Sequence, residues 1–458
     1  MHGSCARLIA ATLAALALSG CVAHQQYRTV YERCELKSDV GDAPCDQHAL
    51  QVRMDGARQR YLLGFIEFDD QGQLWDRGQM NTVLDAIQTE SAGKELLIVV
   101  FAHGWKHSAA PDDGNINTFR KALANLSAAD AAVRGSNAAS PRQVVGVYLG
   151  WRGGSVSVPV VKELSFWERK NTAHKVGHGS VTEVLSRLEL IKETRNTIEQ
   201  DKDTRLVVVG HSFGGAVVYA AVGQLLGNRF VHTKGPPGEQ SNVAGYGDLV
   251  VLINPAFEAM LFSSLSDMSA ERGTYFDTQL PVTAVLTSED DKATKYAFPL
   301  GRWFSTIFEK THTMKRRNAV TNQFESVDGD AANRTAVGHF ASYRTHTLAP
   351  TDERKREDVA AADPSQVAAT SANASTQWAD DQPGSVIPFG AVTLTRNATS
   401  AGRNPYIVAY VDQELIRDHN DIDDPRVIQF IEQLILISTQ SHEQLRRTLQ
   451  RKRGGKTE

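Results

Sequence analysis

Leu206 to Val209 form an unbroken aliphatic run, followed at once by Gly210-His211-Ser212-Phe213-Gly214. Aliphatic residues without polar alternation suit a strand buried on both faces, as in a parallel sheet. From Gly215 onward, Ala216, Val217, Tyr219, Ala220, Ala221, Val222, Leu225 and Leu226 recur at helical spacing, and Gly227 reads as a stop. The chain therefore turns sharply from strand to helix. Such a turn forces its central residue into a strained backbone conformation and demands neighbours without side chains, a demand that Gly210 and Gly214 meet. It also lifts Ser212 above the sheet edge, beside the first amides of a helix, where developing negative charge is favoured. A phosphate-cradling loop needs Gly-Lys-Ser/Thr or a Gly-x-Gly-x-x-Gly array, and this segment has neither.

Other segments repeat the pattern. Tyr61-Leu-Leu-Gly-Phe-Ile-Glu-Phe68 opens the ordered part of the chain, Asp69 to Gly72 reads as a turn into a short strand from Gln73 to Asp76, and a helix follows from Gln79 to Glu90. Further strands are expected at Glu95 to Phe101, Gln143 to Gly150, Asp248 to Pro255, Pro281 to Ser288 and Pro405 to Val411, with a helix from Ile116 to Ala132 and a polar, helix-prone stretch up to Asp203. Strands alternating with helices predict an α/β fold, a mostly parallel central sheet covered by helices on both faces and carrying long insertions. Residues 55–458 are expected to form this one domain. Within it, residues 295–404 lose the pattern and read as an insertion, and residues 350–385, rich in Ala, Asp, Ser, Thr, Gln and Pro, read as a mobile surface excursion.

With its flanking strand and helix, the Gly210-to-Gly214 turn resembles the nucleophile elbow of the α/β-hydrolase superfamily. That resemblance implies a serine hydrolase acting on an acyl ester through a Ser-His-Asp triad, with Ser212 as nucleophile and no cofactor. It implies an oxyanion hole made by the backbone amides of Phe213 and of Trp105, since His103-Gly104-Trp105 follows a strand as the oxyanion loop of this superfamily does. The side chain of His103 is expected only to anchor that loop. The family's G-x-x-D arrangement past a strand places the acid at Asp291, with Asp290 and then Glu289 as neighbouring alternatives in Ser288-Glu289-Asp290-Asp291. The family's base lies between the last strand and the last helix, which selects His419 over His339. The helix after His419 starts well: Asp424 can cap it, Pro425 fits its first turn, and Val427, Phe430, Ile431, Leu434 and Ile435 share a face. His103 and His107, and His174 and His178, are spaced as zinc ligands on a helix would be, but neither pair has the HExxH form, and no metal is expected.

The N-terminus carries a second resemblance. Arg7 precedes Leu8-Ile-Ala-Ala-Thr-Leu-Ala-Ala-Leu-Ala-Leu18, a run too short to span a membrane comfortably, and it ends in Leu18-Ser19-Gly20-Cys21. That ending resembles a bacterial lipobox. It implies that residues 1–20 are a signal peptide, that Cys21 is lipidated, and that the protein sits on the bacterial envelope. Val22, in place of Asp, points by the family's rule to the outer membrane facing the periplasm. Cys5 leaves with the signal, so Cys34 and Cys45 remain as a pair in an oxidising compartment and are expected to form a disulfide, contributing up to about 3 kcal/mol. Residues 21–54 read as a tether holding that stapled loop. A net charge of −4 gives no reason to expect nucleic acid as a partner. The basic C-terminus, Leu445-Arg-Arg-Thr-Leu-Gln-Arg-Lys-Arg-Gly-Gly-Lys-Thr-Glu458, reads as a solvated helix end. The expected partners are a small acyl substrate and the membrane. The rival reading is an envelope lipoprotein that keeps the hydrolase scaffold for binding without catalysis.

Overall fold

A computed structural model describes residues 23–89, 93–136, 139–154, 159–198, 203–233, 241–306, 308–351, 363–378, 384–440 and 450. Its strands are β1 (Val30–Leu36), β2 (His48–Asp55), β3 (Arg58–Glu67), β4 (Leu96–Ala102), β5 (Gln143–Gly150), β6 (Arg205–His211), β7 (Leu249–Ile253), β8 (Thr283–Ser288), β9 (Thr313–Asn318), β10 (Gln323–Asp328), β11 (His346–Pro350), β12 (Val386–Phe389), β13 (Val392–Arg396) and β14 (Tyr406–Val411). Twelve of them make one sheet in the order β1-β2-β3-β5-β4-β6-β7-β8-β14-β11-β13-β12, and β9 and β10 form a separate hairpin. From β3 through β11 in that order every neighbouring pair is parallel.

The helices are α1 (Arg77–Thr89), α2 (Gly114–Ser136), α3 (Pro159–Val176), α4 (Thr182–Ile198), α5 (Phe213–His232), α6 (Ala259–Arg272), α7 (Phe298–Ser305), α8 (Gly329–Arg334), α9 (Pro364–Trp378) and α10 (Pro425–Ser438). Alternate strand residues feed two separate cores. Ile98, Val100, Leu206, Val208, Val250 and Leu252 pack on one face with α1, α4, α5 and α6. Val99, Phe101, Val207, Val209, Val251 and Ile253 pack on the other with α2, α9 and α10. This explains the unbroken aliphatic runs: both alternating sets are buried, and each such side chain contributes roughly 1.5–3 kcal/mol of transfer free energy.

Four expectations are corrected. Residues 21–54 are more than a tether, because β1 and β2 join the sheet, β2 antiparallel to β3 and β1 parallel to β2, with the expected Cys34–Cys45 disulfide linking β1 to the turn before β2. The stretch 295–404 supplies β11, β12 and β13 to the sheet, and α9, inside the expected excursion, packs Val367, Ala374 and Trp378 into the core. Residues 352–362 and 379–383 of that excursion lie outside the described residues. Gln73 to Asp76 form no strand beyond a single bridge from Leu74 to Phe68. Helix α5 also runs through Gly227 to His232.

Beneath α10, an apolar cavity of about 100 Å³ is lined by Phe119, Leu123, Val209, Ile253 and Ile431, with the carboxyl of Glu432 at its wall. Burial there pushes Glu432 up to about 7 from an ordinary 4.5, against a hydrogen bond from Asn125 that favours the ionised form. The folded chain thus keeps a proton that the unfolded chain releases above about pH 4.5, and stability falls as pH rises from there to about 7, by about 3 kcal/mol in all. Glu432→Gln is expected to remove this loss. Denaturant midpoints should show the variant ahead of wild type above pH 7 and the gap closing toward pH 4.5; parallel pH profiles would rule out the burial penalty.

Candidate active site

Four sheet-end loops converge, those after β4, β6, β8 and β14. Ser212 is the hinge between β6 and α5, with φ 56° and ψ −119°. A non-glycine residue there costs about 1–3 kcal/mol and must be held by its surroundings. Its amide donates to the Ile253 carbonyl at 2.9 Å, and its carbonyl accepts from the amides of Gly215, Ala216 and Ala256. The glycines have the reason expected of them: a Cβ at Gly214 would stand 2.0 Å from the Ala102 carbonyl oxygen, and one at Gly210 would stand 2.6 Å from that of Gly214. Gly104 is equally constrained, since its Cβ would meet that of Ser212 at 2.8 Å.

His419 follows β14 and brings Nε2 to 2.6 Å from Ser212 Oγ, while its Nδ1 lies 2.8 Å from Asp291 Oδ2. Asp291 is fully buried after β8. Its Oδ1 accepts from the amides of Ala293 and Thr294, and its Oδ2 accepts from the Thr294 hydroxyl as well as from His419. Burial alone would raise its pKa, but the hydrogen bond and charge of His419, aided by Thr294, outweigh that and hold the carboxyl below its ordinary value. Asp290 points elsewhere, with a side chain 39% exposed and 3.9 Å from Lys292. The backbone of Glu289 pairs with Val411, and its carboxylate accepts from the Gln413 amide.

Sequence reasoning missed the residues that hold His419 in place. Its carbonyl accepts from His211 Nε2 and from Asn254 Nδ2, each at 3.0 Å. A carbonyl can only accept, so His211 is the Nε2–H tautomer, and burial lowers its pKa to about 3. Asn254, with φ 44°, also accepts from the Ser288 amide, tying the ends of β7 and β8 to the histidine loop. His211 lay in view inside the pentapeptide; no sequence signal marked Asn254. Asp424 caps α10 as expected, accepting from the Arg426 amide with Pro425 at the first position.

After β4, His103 is buried and both its ring nitrogens are engaged. Nε2 accepts from the Trp151 amide at 3.1 Å, so Nδ1 carries the proton and donates to the Gly104 carbonyl at 3.0 Å. Desolvation lowers its pKa to about 4, and its ring stacks on Trp151 at 5.5 Å. His103 thus fixes the Gly104–Trp105 backbone. His107 pairs instead with Asp113 at 2.9 Å, and His174 and His178 line a groove beside Lys170 and Glu258. The Trp105 amide has no backbone acceptor among the described residues, and Phe213, first in α5, has no intrahelical one. Phe166 of α3 bridges these two residues, its ring 5.4 Å from that of Trp105 and 4.8 Å from that of Phe213. Cys21 lies outside the described residues.

Set against family models, curated proteins and solved structures, the chain matches none.

Proposed function

We propose that this protein is a serine hydrolase of acyl esters with an α/β-hydrolase fold, working through Ser212, His419 and Asp291. One observation carries the reading: an unbroken hydrogen-bond chain from Ser212 Oγ through both ring nitrogens of His419 to a buried carboxylate, joining groups 207 and 128 residues apart in sequence. A solitary serine in a packing turn requires no such chain. The order Ser, Asp, His along the sequence and the strand–turn–helix setting of Ser212 agree with that superfamily.

In the proposed reaction, Ser212 Oγ adds to the acyl carbonyl carbon as its proton passes to His419 Nε2. Asp291 stays ionised, keeps the Nδ1–H tautomer and stabilises the imidazolium. The carbonyl oxygen becomes an oxyanion, for which the amides of Phe213 and Trp105 are the proposed donors. Collapse breaks the ester C–O bond and the departing alcohol takes the proton from Nε2. Water then repeats the sequence, releasing the acid and restoring Ser212. We place this chemistry on the bacterial envelope, with Leu18-Ser19-Gly20-Cys21 as the signal for a lipid anchor. No helix among the described residues is long and apolar enough to cross a membrane.

The test is hydrolysis of acyl esters of graded chain length by purified wild type and Ser212→Ala. Turnover of at least one ester by wild type, and none above background by the variant, is expected. Folded wild type inert toward the whole panel would favour the binding lipoprotein.

A further inference from the structure

The hydrogen-bond chain does not stop at Asp291. Thr294, fully buried in the turn after β8, donates its hydroxyl proton to Asp291 Oδ2, the same oxygen that receives His419 Nδ1–H. The Thr294 oxygen lies 2.9 Å from His339 Nε2. Donor directions along this line are forced. An ionised carboxylate only accepts, so the single threonine proton points at Asp291, and Thr294 Oγ1 must accept from His339, which is therefore protonated at Nε2.

The seat of His339 is equally determined. The turn Val337–His339 lies flush against β8, where a Cβ on Gly338 would fall 1.9 Å from Thr287 Oγ1. The Val337 amide donates to the Phe257 carbonyl, and the Arg344 guanidinium donates to the carbonyls of Gly338 and His339 while lying over the Tyr410 ring at 3.5 Å. Glycine, arginine and tyrosine thus aim one imidazole at one hydroxyl.

We propose that Thr294 and His339 are positioning residues for the triad acid, a relay that fixes the rotamer and the charge of Asp291 by occupying the lone pair of Oδ2 that His419 leaves free. This inference rests on the proposed serine hydrolase reading. In the reaction His419 turns cationic, and Asp291 must meet it without rotating and without taking its proton. Two amides on Oδ1 and the Thr294 hydroxyl on Oδ2 ensure both. His339 orients that hydroxyl; among the described residues the charged or titratable groups around it are Asp291, Lys295, Arg344, Tyr410 and His419, and burial keeps it neutral at ordinary pH, with a pKa of about 4.

Removing the hydroxyl frees Asp291 to rotate and leaves Oδ2 without its second donor, so the carboxylate holds His419 less well against Ser212. The test measures the rate of fluorophosphonate labelling of Ser212 at neutral pH. Thr294→Val should label roughly tenfold more slowly, the worth of one hydrogen bond to a charged group. Thr294→Ser, which returns the hydroxyl, should restore the rate. His339→Leu should slow labelling as Thr294→Val does, and His339→Gln, which keeps an N–H donor, should rescue it. If Thr294→Val does not fold, the two His339 variants decide alone. Wild type that labels, together with Thr294→Val or His339→Leu variants that match it in rate, overturns the relay and leaves the triad standing. Wild type that does not label overturns the hydrolase reading itself.

Discussion

His419→Ala is expected to lower ester turnover by about four orders of magnitude or more, with thermal unfolding nearly unchanged. The large kinetic effect follows from position: no other ring nitrogen contacts Ser212 Oγ among the described residues, so the variant leaves the serine proton without an acceptor. The small effect on stability follows from how the loop is held. His211 and Asn254 grip the carbonyl of residue 419, which alanine retains, and Asp424 and Pro425 set the following helix independently. His339→Ala provides the contrast. That ring reaches the triad only through Thr294, so turnover should stay within about tenfold of wild type. A His419→Ala variant that keeps near wild-type activity beside an inactive His339→Ala would mean that the base comes from the other loop.

Asp291→Asn is the second large effect, expected at about 10³–10⁴ in turnover. An asparagine amide can present N–H toward His419 Nδ1, which would shift the ring proton to Nε2 and block acceptance from Ser212. The buried bonds from the backbone amides of Ala293 and Thr294 would survive on its carbonyl oxygen, and only the Thr294 hydroxyl would lose its acceptor, so the protein should still fold. Asp290→Asn, one residue away on an exposed side chain, should leave turnover unchanged. Equal losses in the two variants would show that loop charge, and not the bond to His419, matters.

Sequence made the centre of the sheet legible because its strands are buried on both faces, as at Leu206 to Val209. The edges were not legible for the converse reason. β13 alternates buried and half-buried residues and β1 buries only Leu36, so neither produces an aliphatic run. α9 was read as an excursion because its buried positions include Ser371, Ala374 and Ser375, small residues whose packing shows only once α2 and α10 are beside them. In the site, Ser212 announces itself through local geometry, and His419 through the capped helix that follows it. Asp291 and Asp290 are chemically identical neighbours, and only burial separates them. His211, Asn254 and Thr294 stay silent in sequence because their roles are contacts, two of them made across 208 and 165 residues.

The proposed reaction makes Ser212 a nucleophile activated by His419. Its most direct test is peptide mass spectrometry of the purified, folded protein after brief exposure to a fluorophosphonate, which reacts with a serine made nucleophilic by an adjacent base. One stoichiometric adduct is expected on the peptide carrying Gly210-His211-Ser212-Phe213-Gly214, lost in both Ser212→Ala and His419→Ala. A folded wild type that takes no adduct, or takes it on a different serine, would contradict it.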